Sequence, residues 1–128
     1  MRIDVITLFP ELIQSFIEQG VTRRAYDSGH MVLKCWNPRD FADGNYRRVD
    51  DRPFGGGPGM VMLAEPLERA IAAAREGAPQ AKVIYLSPQG RTFNQNRARA
   101  LAALPGLILL AGRYEGIDER AVEQLVDE

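Results

Sequence analysis

Two aliphatic runs, 82–86 (KVIYL) and 107–111 (LILLA), each break off into a short polar turn. One turn is Ser87-Pro88-Gln89-Gly90-Arg91, the other Gly112-Arg113-Tyr114-Glu115-Gly116-Ile117-Asp118. Runs this short, and this free of charge beyond the first residue, suit strands buried on both faces of a parallel sheet. The stretch between them has room for one crossover helix. Residues 94–104 read as that helix, with Ala98, Leu101, Ala102 and Leu104 as its apolar stripe. A strand–helix–strand unit is nearly always right-handed with parallel strands. Both turns are therefore predicted to leave the sheet at one carboxyl edge, where open α/β sheets bind ligands. Two glycine-containing turns at one edge point to a small-molecule pocket.

A chain of 128 residues suits one domain, which buries roughly two-thirds of its unfolded surface. Its net charge of −1 gives no global argument for a nucleic-acid or membrane surface. Of the 16 basic residues only Lys34 and Lys82 are lysine. Arginine suits bidentate phosphate and carboxylate contacts, but genome composition explains the bias more simply. A lone Cys35 excludes an intrachain disulfide and reads as a small buried hydrophobe near Trp36, in keeping with a reducing cytosol. His30, the single histidine, cannot build a zinc site alone. The stretch 1–9 carries Asp4 and is too short for a signal-peptide core, and no run approaches the length of a membrane span. The expected location is cytoplasmic.

Residues 2–9 read as a first strand and Pro10 as the start of a helix closed by Gly20, with Leu12, Ile13, Phe16 and Ile17 facing inward. A helix over 21–27, a strand over 31–36 and a helix over 64–76 follow, the last with Leu67, Ile71 and Ala74 as its stripe. Asp118 is a good N-cap for a final helix. From 37 to 59 there is little periodicity, and a patternless stretch of that length in a compact domain is usually functional or mobile. Within it Gly55, Gly56, Gly57 and Gly59 crowd together. They suit either a loop that meets a phosphate or base, or a hinge, and spacing alone leaves both open. No Gly-Lys-Ser/Thr follows, so this is not a Walker loop. Asp50-Asp51 lacks a second carboxylate cluster and reads more simply as solvated loop than as a metal site. Ser87–Gly90 taken alone is a tight turn. The 112–118 turn is the better site candidate, because two glycines frame a basic, an aromatic and an acidic residue.

Five ordered motifs carry a family resemblance: TLFPE at 7–11, NPRDF at 37–41, VDDRPFGGGPGM at 49–60, YLSPQGR at 85–91 and GRYEGIDER at 112–120. Together they resemble the bacterial tRNA (guanine-N1)-methyltransferases, which methylate the guanine just 3′ of the anticodon, over nearly the whole chain. The resemblance implies an α/β fold of the SPOUT type, a mostly parallel sheet flanked by helices with a trefoil knot that the general rule against knots would not anticipate. It implies S-adenosylmethionine as methyl donor, a homodimer, and the tRNA anticodon stem-loop as substrate. The positions matching the family's cofactor site are Tyr85, Leu86, Ser87, Pro88, Gly112, Tyr114, Glu115 and Gly116, with Glu115 also in a supporting catalytic role. The resemblance also implies that Asp50 and the glycine loop with Gly55, Gly57 and Gly59 face the anticodon, with Arg113 and Arg23-Arg24 as further RNA contacts.

The same resemblance places the family's catalytic aspartate, a supporting arginine, the glycine-rich second half of the cofactor loop and a C-terminal tRNA-binding domain beyond Glu128. Residues 1–128 are then an incomplete N-terminal SPOUT domain. It is expected to be unknotted, inactive alone, and to expose apolar surface beside the 107–111 strand. The chemistry agrees with these assignments: a neutral adenine suits strand-end backbone and aliphatic walls, and Glu115 or the Tyr114 ring favours a sulfonium. The proton on guanine N1 calls for a general base. Two other readings stay open on sequence: a non-catalytic nucleotide- or RNA-binding module, and a hydrolase using the glycine loop as an anion nest.

Overall fold

The computed structural model describes residues 1–53, 55–114 and 116–128; the Phe54 and Glu115 named above lie outside the described residues. Its elements are β1 (Arg2–Ile6), α1 (Pro10–Gln14), α2 (Gly20–Asp27), β2 (Val32–Trp36), β3 (Asp50–Asp51), β4 (Val61–Met62), α3 (Ala64–Gly77), β5 (Lys82–Tyr85), α4 (Gln95–Ala102), β6 (Gly106–Leu110) and α5 (Glu119–Leu125). Short 3₁₀ turns occupy Ser15–Ile17 and Pro38–Phe41. Four strands form one parallel sheet in the order β2-β1-β6-β5, and β3 pairs antiparallel with β4. The α/β class and the parallel β5–α4–β6 unit agree with the sequence reading.

The core lies mainly on one side of the sheet. Ile6, Val83, Ile108 and Leu110 meet Leu67, Ala70, Ile71 and Ala74 of α3, with Ile117 and Ala121 closing the end. The stripe expected of the 64–76 helix is therefore the stripe that is buried. Strand alternation sends Arg2, Asp4 and Ile6 to one face, and this makes Asp4 a fully buried carboxylate (0% exposed). It is satisfied by Arg2 Nε and Nη2 at 2.8 and 3.0 Å and by the Trp36 indole N–H at 2.8 Å, as a buried charge must be. The hydrogen bond to Asp4 raises the Arg2 guanidinium further above its ordinary value, against the opposing effect of burial. That guanidinium occupies the space a Cβ would need at Gly77, the last residue of α3.

Several expectations are corrected. The first strand ends at Ile6, where Thr7 turns the chain by accepting the Phe9 N–H. Gly20, at φ +72°, opens α2 instead of closing α1. Leu12 and Phe16 do not face inward: they are 59% and 67% exposed, and neither α1 nor the 3₁₀ turn that follows it buries a residue. In the 94–104 helix Leu101 and Ala98 are half-buried and Ala102 is exposed. Cys35 is half-buried, with its thiol pushed up by burial and then by Asp4 and Glu11. The 106–110 strand is enclosed between β1 and β5. The edge strands are β2 and β5, and residues 127–128 run beside β5. Asp127 donates its N–H to the Val83 carbonyl at 2.8 Å, and Tyr85 donates to the Glu128 carbonyl at 2.9 Å.

Candidate functional site

Parallel pairing with Tyr85 opposite Leu110 makes both turns leave the sheet side by side at its carboxyl edge. The Leu86 N–H extends the ladder to the Leu110 carbonyl at 3.1 Å, and the Ala111 N–H reaches Ile6 at 3.0 Å. The turns meet at Gly112, where a Cβ would stand 3.2 Å from Tyr85 Cε2 and 3.4 Å from Ile117 Cδ1. A side chain at Gly112 would fit only if Tyr85 or Ile117 gave way by a few tenths of an ångström. The phenol of Tyr85 is pushed above its ordinary value by burial and then by Glu119.

Beyond that junction the turns diverge. Ser87 folds the first on itself, its Oγ accepting the Gln89 N–H at 3.2 Å and its carbonyl the Gly90 N–H at 3.1 Å. Tyr85, Leu86, Ser87 and Pro88 line an open cleft of about 890 Å³ shared with Phe93, Arg97, Leu101 and Glu128. In it the Glu128 carboxylate takes Arg91 at 3.0 Å and also Arg97. The second turn faces a different recess of about 360 Å³, lined by Phe9, Gly112, Arg113 and Tyr114. There the Arg113 guanidinium sits over the Phe9 ring at 4.6 Å. Tyr114 adopts φ +62°, a conformation few bulky residues hold.

The glycine loop joins the second turn. Asp50 and Asp51 pair with Met62 and Val61, so residues 52–60 are the tip of a hairpin. At this tip Gly55, Gly56, Gly57 and Gly59 all have positive φ, between +86° and +107°, with open space where a Cβ would go. Backbone conformation, not crowding, selects glycine there. The base of the hairpin is fastened to the 112–118 turn. The Met62 N–H donates to the Gly116 carbonyl at 3.0 Å, and the Asp118 N–H donates to the Met62 carbonyl at 3.0 Å.

The structure thus brings Tyr85 to Gly112, and Asp50 and Gly116 to Met62. It leaves Leu86, Ser87 and Pro88 on a separate cleft and Arg23-Arg24 away on α2, where Arg23 pairs with Asp27 at 3.3 Å. Met62 escaped the sequence reading because VM at 61–62 is too short a run to register as a strand. Among the described residues no group of three metal-ligating side chains occurs, and no helix is long and apolar enough to cross a membrane.

A sequence profile described as tRNA (Guanine-1)-methyltransferase TrmD matches residues 1–128. The chain belongs to this family. Among curated members, the tRNA (guanine-N(1)-)-methyltransferase of Xylella fastidiosa strain M23 is 62% identical over 128 residues, which are 99% of this chain and 49% of that protein. The one of Leptothrix cholodnii is 58% identical over 129 residues, 100% of this chain and 52% of its own length. The chain spans about half the length of the curated TrmD relatives it matches. The crystal structure of tRNA (m1G37) methyltransferase from Aquifex aeolicus superposes with a TM-score of 0.90 at 33% identity, covering 100% of this chain and 57% of that one. The α/β arrangement described above is accordingly of the SPOUT type, as the TrmD motifs imply.

Proposed function

We propose that this chain carries the near wall of a methyl-donor site, and the adjoining substrate hairpin, of a tRNA (guanine-N1)-methyltransferase. The reaction moves a methyl group from S-adenosylmethionine to N1 of the guanine just 3′ of the anticodon. The observation that carries the reading is the junction at Gly112, where two family motifs meet at parallel strand ends and a third hangs from the second through Met62.

The residues suit an adenosine-bearing donor. Leu86 and Tyr114 leave apolar and aromatic surface exposed at the strand ends, as a neutral purine requires. When bound, S-adenosylmethionine supplies an electrophilic methyl on a cationic sulfur. Tyr85, Gly112 and Gly116 shape its seat at the junction and Leu86, Ser87 and Pro88 border it from the adjoining cleft, while Tyr114 and Glu115 favour the positive charge. Asp50 and the loop of Gly55, Gly57 and Gly59 receive the guanine, whose unstacking costs roughly a few kcal/mol, and Arg113 meets the RNA backbone. The proton on N1 leaves to a general base; the resemblance puts that base, and the second half of the donor loop, past residue 128. A cytoplasmic homodimer, a knot closed by the further residues, and a second tRNA-binding domain belong to the same reading.

Calorimetric titration of S-adenosylmethionine into the 128-residue chain and into the full-length protein tests it. The shorter chain is expected to bind at least about tenfold more weakly, a difference of roughly 1.4 kcal/mol, and to transfer no methyl groups to tRNA. Equal affinity, or robust turnover by the 128-residue chain, contradicts the claim that the site is completed elsewhere.

A further inference from the structure

We infer that Met62 is a positioning residue that couples the methyl-donor turn to the substrate hairpin; the inference rests on the function proposed above. Met62 is 1% exposed, and three of its atoms are committed to the 112–118 turn. Its N–H donates to the Gly116 carbonyl and its carbonyl accepts from Asp118, each at 3.0 Å. Its Sδ accepts the Arg113 N–H at 3.3 Å. On its other side Met62 is the ladder partner of Asp50, and the next residue, Leu63, donates to the Val49 carbonyl at 2.8 Å. One buried residue therefore sits between a turn assigned to the donor and a hairpin assigned to the guanine.

The contact at sulfur distinguishes methionine from other apolar residues. Backbone bonds at this position do not depend on which non-proline side chain stands there, but among the large aliphatic side chains only methionine offers an acceptor, and its unbranched chain fills irregular gaps. A leucine of similar volume would leave the part-buried Arg113 N–H without its partner. The next residue, Tyr114, is held at φ +62°, a strained backbone that persists only where its surroundings fix it. Bonds from Met62 to Arg113, Gly116 and Asp118 bracket that residue on both sides. A shift of the turn on donor binding is thereby passed to Asp50 and the glycine loop, and binding of one ligand must change affinity for the other by the same factor in both directions.

The test uses the full-length protein and Met62→Leu, a volume-conserving change. An anticodon stem-loop RNA is titrated with and without S-adenosylhomocysteine, a non-reacting donor analogue, and amide exchange is followed at Arg113. In the unsubstituted protein the analogue is expected to raise RNA affinity several-fold, and the Arg113 amide to exchange at least about tenfold more slowly than a free peptide amide. In Met62→Leu the coupling factor falls toward one and Arg113 exchange accelerates about tenfold. Each ligand alone still binds within about threefold, and the Asp118 amide stays protected, which loss of fold would not allow. Intact binding with an unchanged coupling factor in Met62→Leu overturns this inference alone. Failure of the unsubstituted protein to bind either ligand overturns the functional reading and this inference with it. An unprotected Arg113 amide in the unsubstituted protein also overturns it, without recourse to any variant.

Discussion

The two strand-end turns leave neighbouring strands at the same sheet edge, yet they are held by opposite means. The 85–91 turn is held mostly by itself: beyond Leu86 its hydrogen bonds join Ser87 to Gln89 and Gly90, its one outward tie among the described residues is the exposed Arg91 to Glu128 at 3.0 Å, and it borders an open cleft. The 112–118 turn is held by the rest of the molecule, through Met62, through the Ile117 side chain in the core, and through Asp118 capping α5. The contrast teaches that similar motifs at one edge need not be built alike. One turn is held locally, and the other is tied into the core and the neighbouring hairpin.

The sharpest way to break the contrast is Met62→Ala. Removing a fully buried side chain should cost about 2–5 kcal/mol, read as a lower urea midpoint with an unchanged slope. Next comes Gly112→Val at the junction of the turns, where neighbours already stand 3.2 and 3.4 Å from the site of a Cβ. Overpacking there should cost about 1–3 kcal/mol and weaken donor binding more than it weakens RNA binding. Asp118→Ala should cost about 1 kcal/mol through the lost cap.

Asp118 also gives the second turn a dependence on acid. The side-chain hydrogen bond from Arg120 holds its carboxyl below the ordinary value of 3.8, against the opposing effect of burial. A lowered folded-state value means the contribution is complete above the ordinary carboxylate range and is lost as pH falls through the lowered value. Asp118→Asn, which keeps a capping oxygen, should therefore flatten the fall in stability between about pH 5 and about pH 2. Ser87→Ala should change stability least, by no more than about 0.5 kcal/mol, since its bonds serve only the exposed turn. A loss of several kcal/mol there would erase the distinction between the turns.

Much of this was legible because burial leaves a period. The α3 stripe, the β5–α4–β6 unit and the Asp118 cap all follow from apolar spacing and local side-chain chemistry. The failures share a cause as well. Nothing local marks Leu12 and Phe16 as exposed, because an apolar stripe records a face and not whether another element covers it. Asp4 reads as an ordinary charge until Arg2 and Trp36, 32 positions away from it at the far end, are brought to its oxygens. Met62 lies in a two-residue strand, and its role depends on a partner turn some fifty positions on. Long-range pairing of short elements has no periodic signature.

The central claim is that both turns belong to one donor site. Amide chemical shifts of the full-length protein, followed through a titration with S-adenosylmethionine, test it most directly. The account predicts that peptide groups in 85–91 and in 112–118 shift together with a single dissociation constant. Shifts confined to one turn, or two turns saturating at different concentrations, would contradict it.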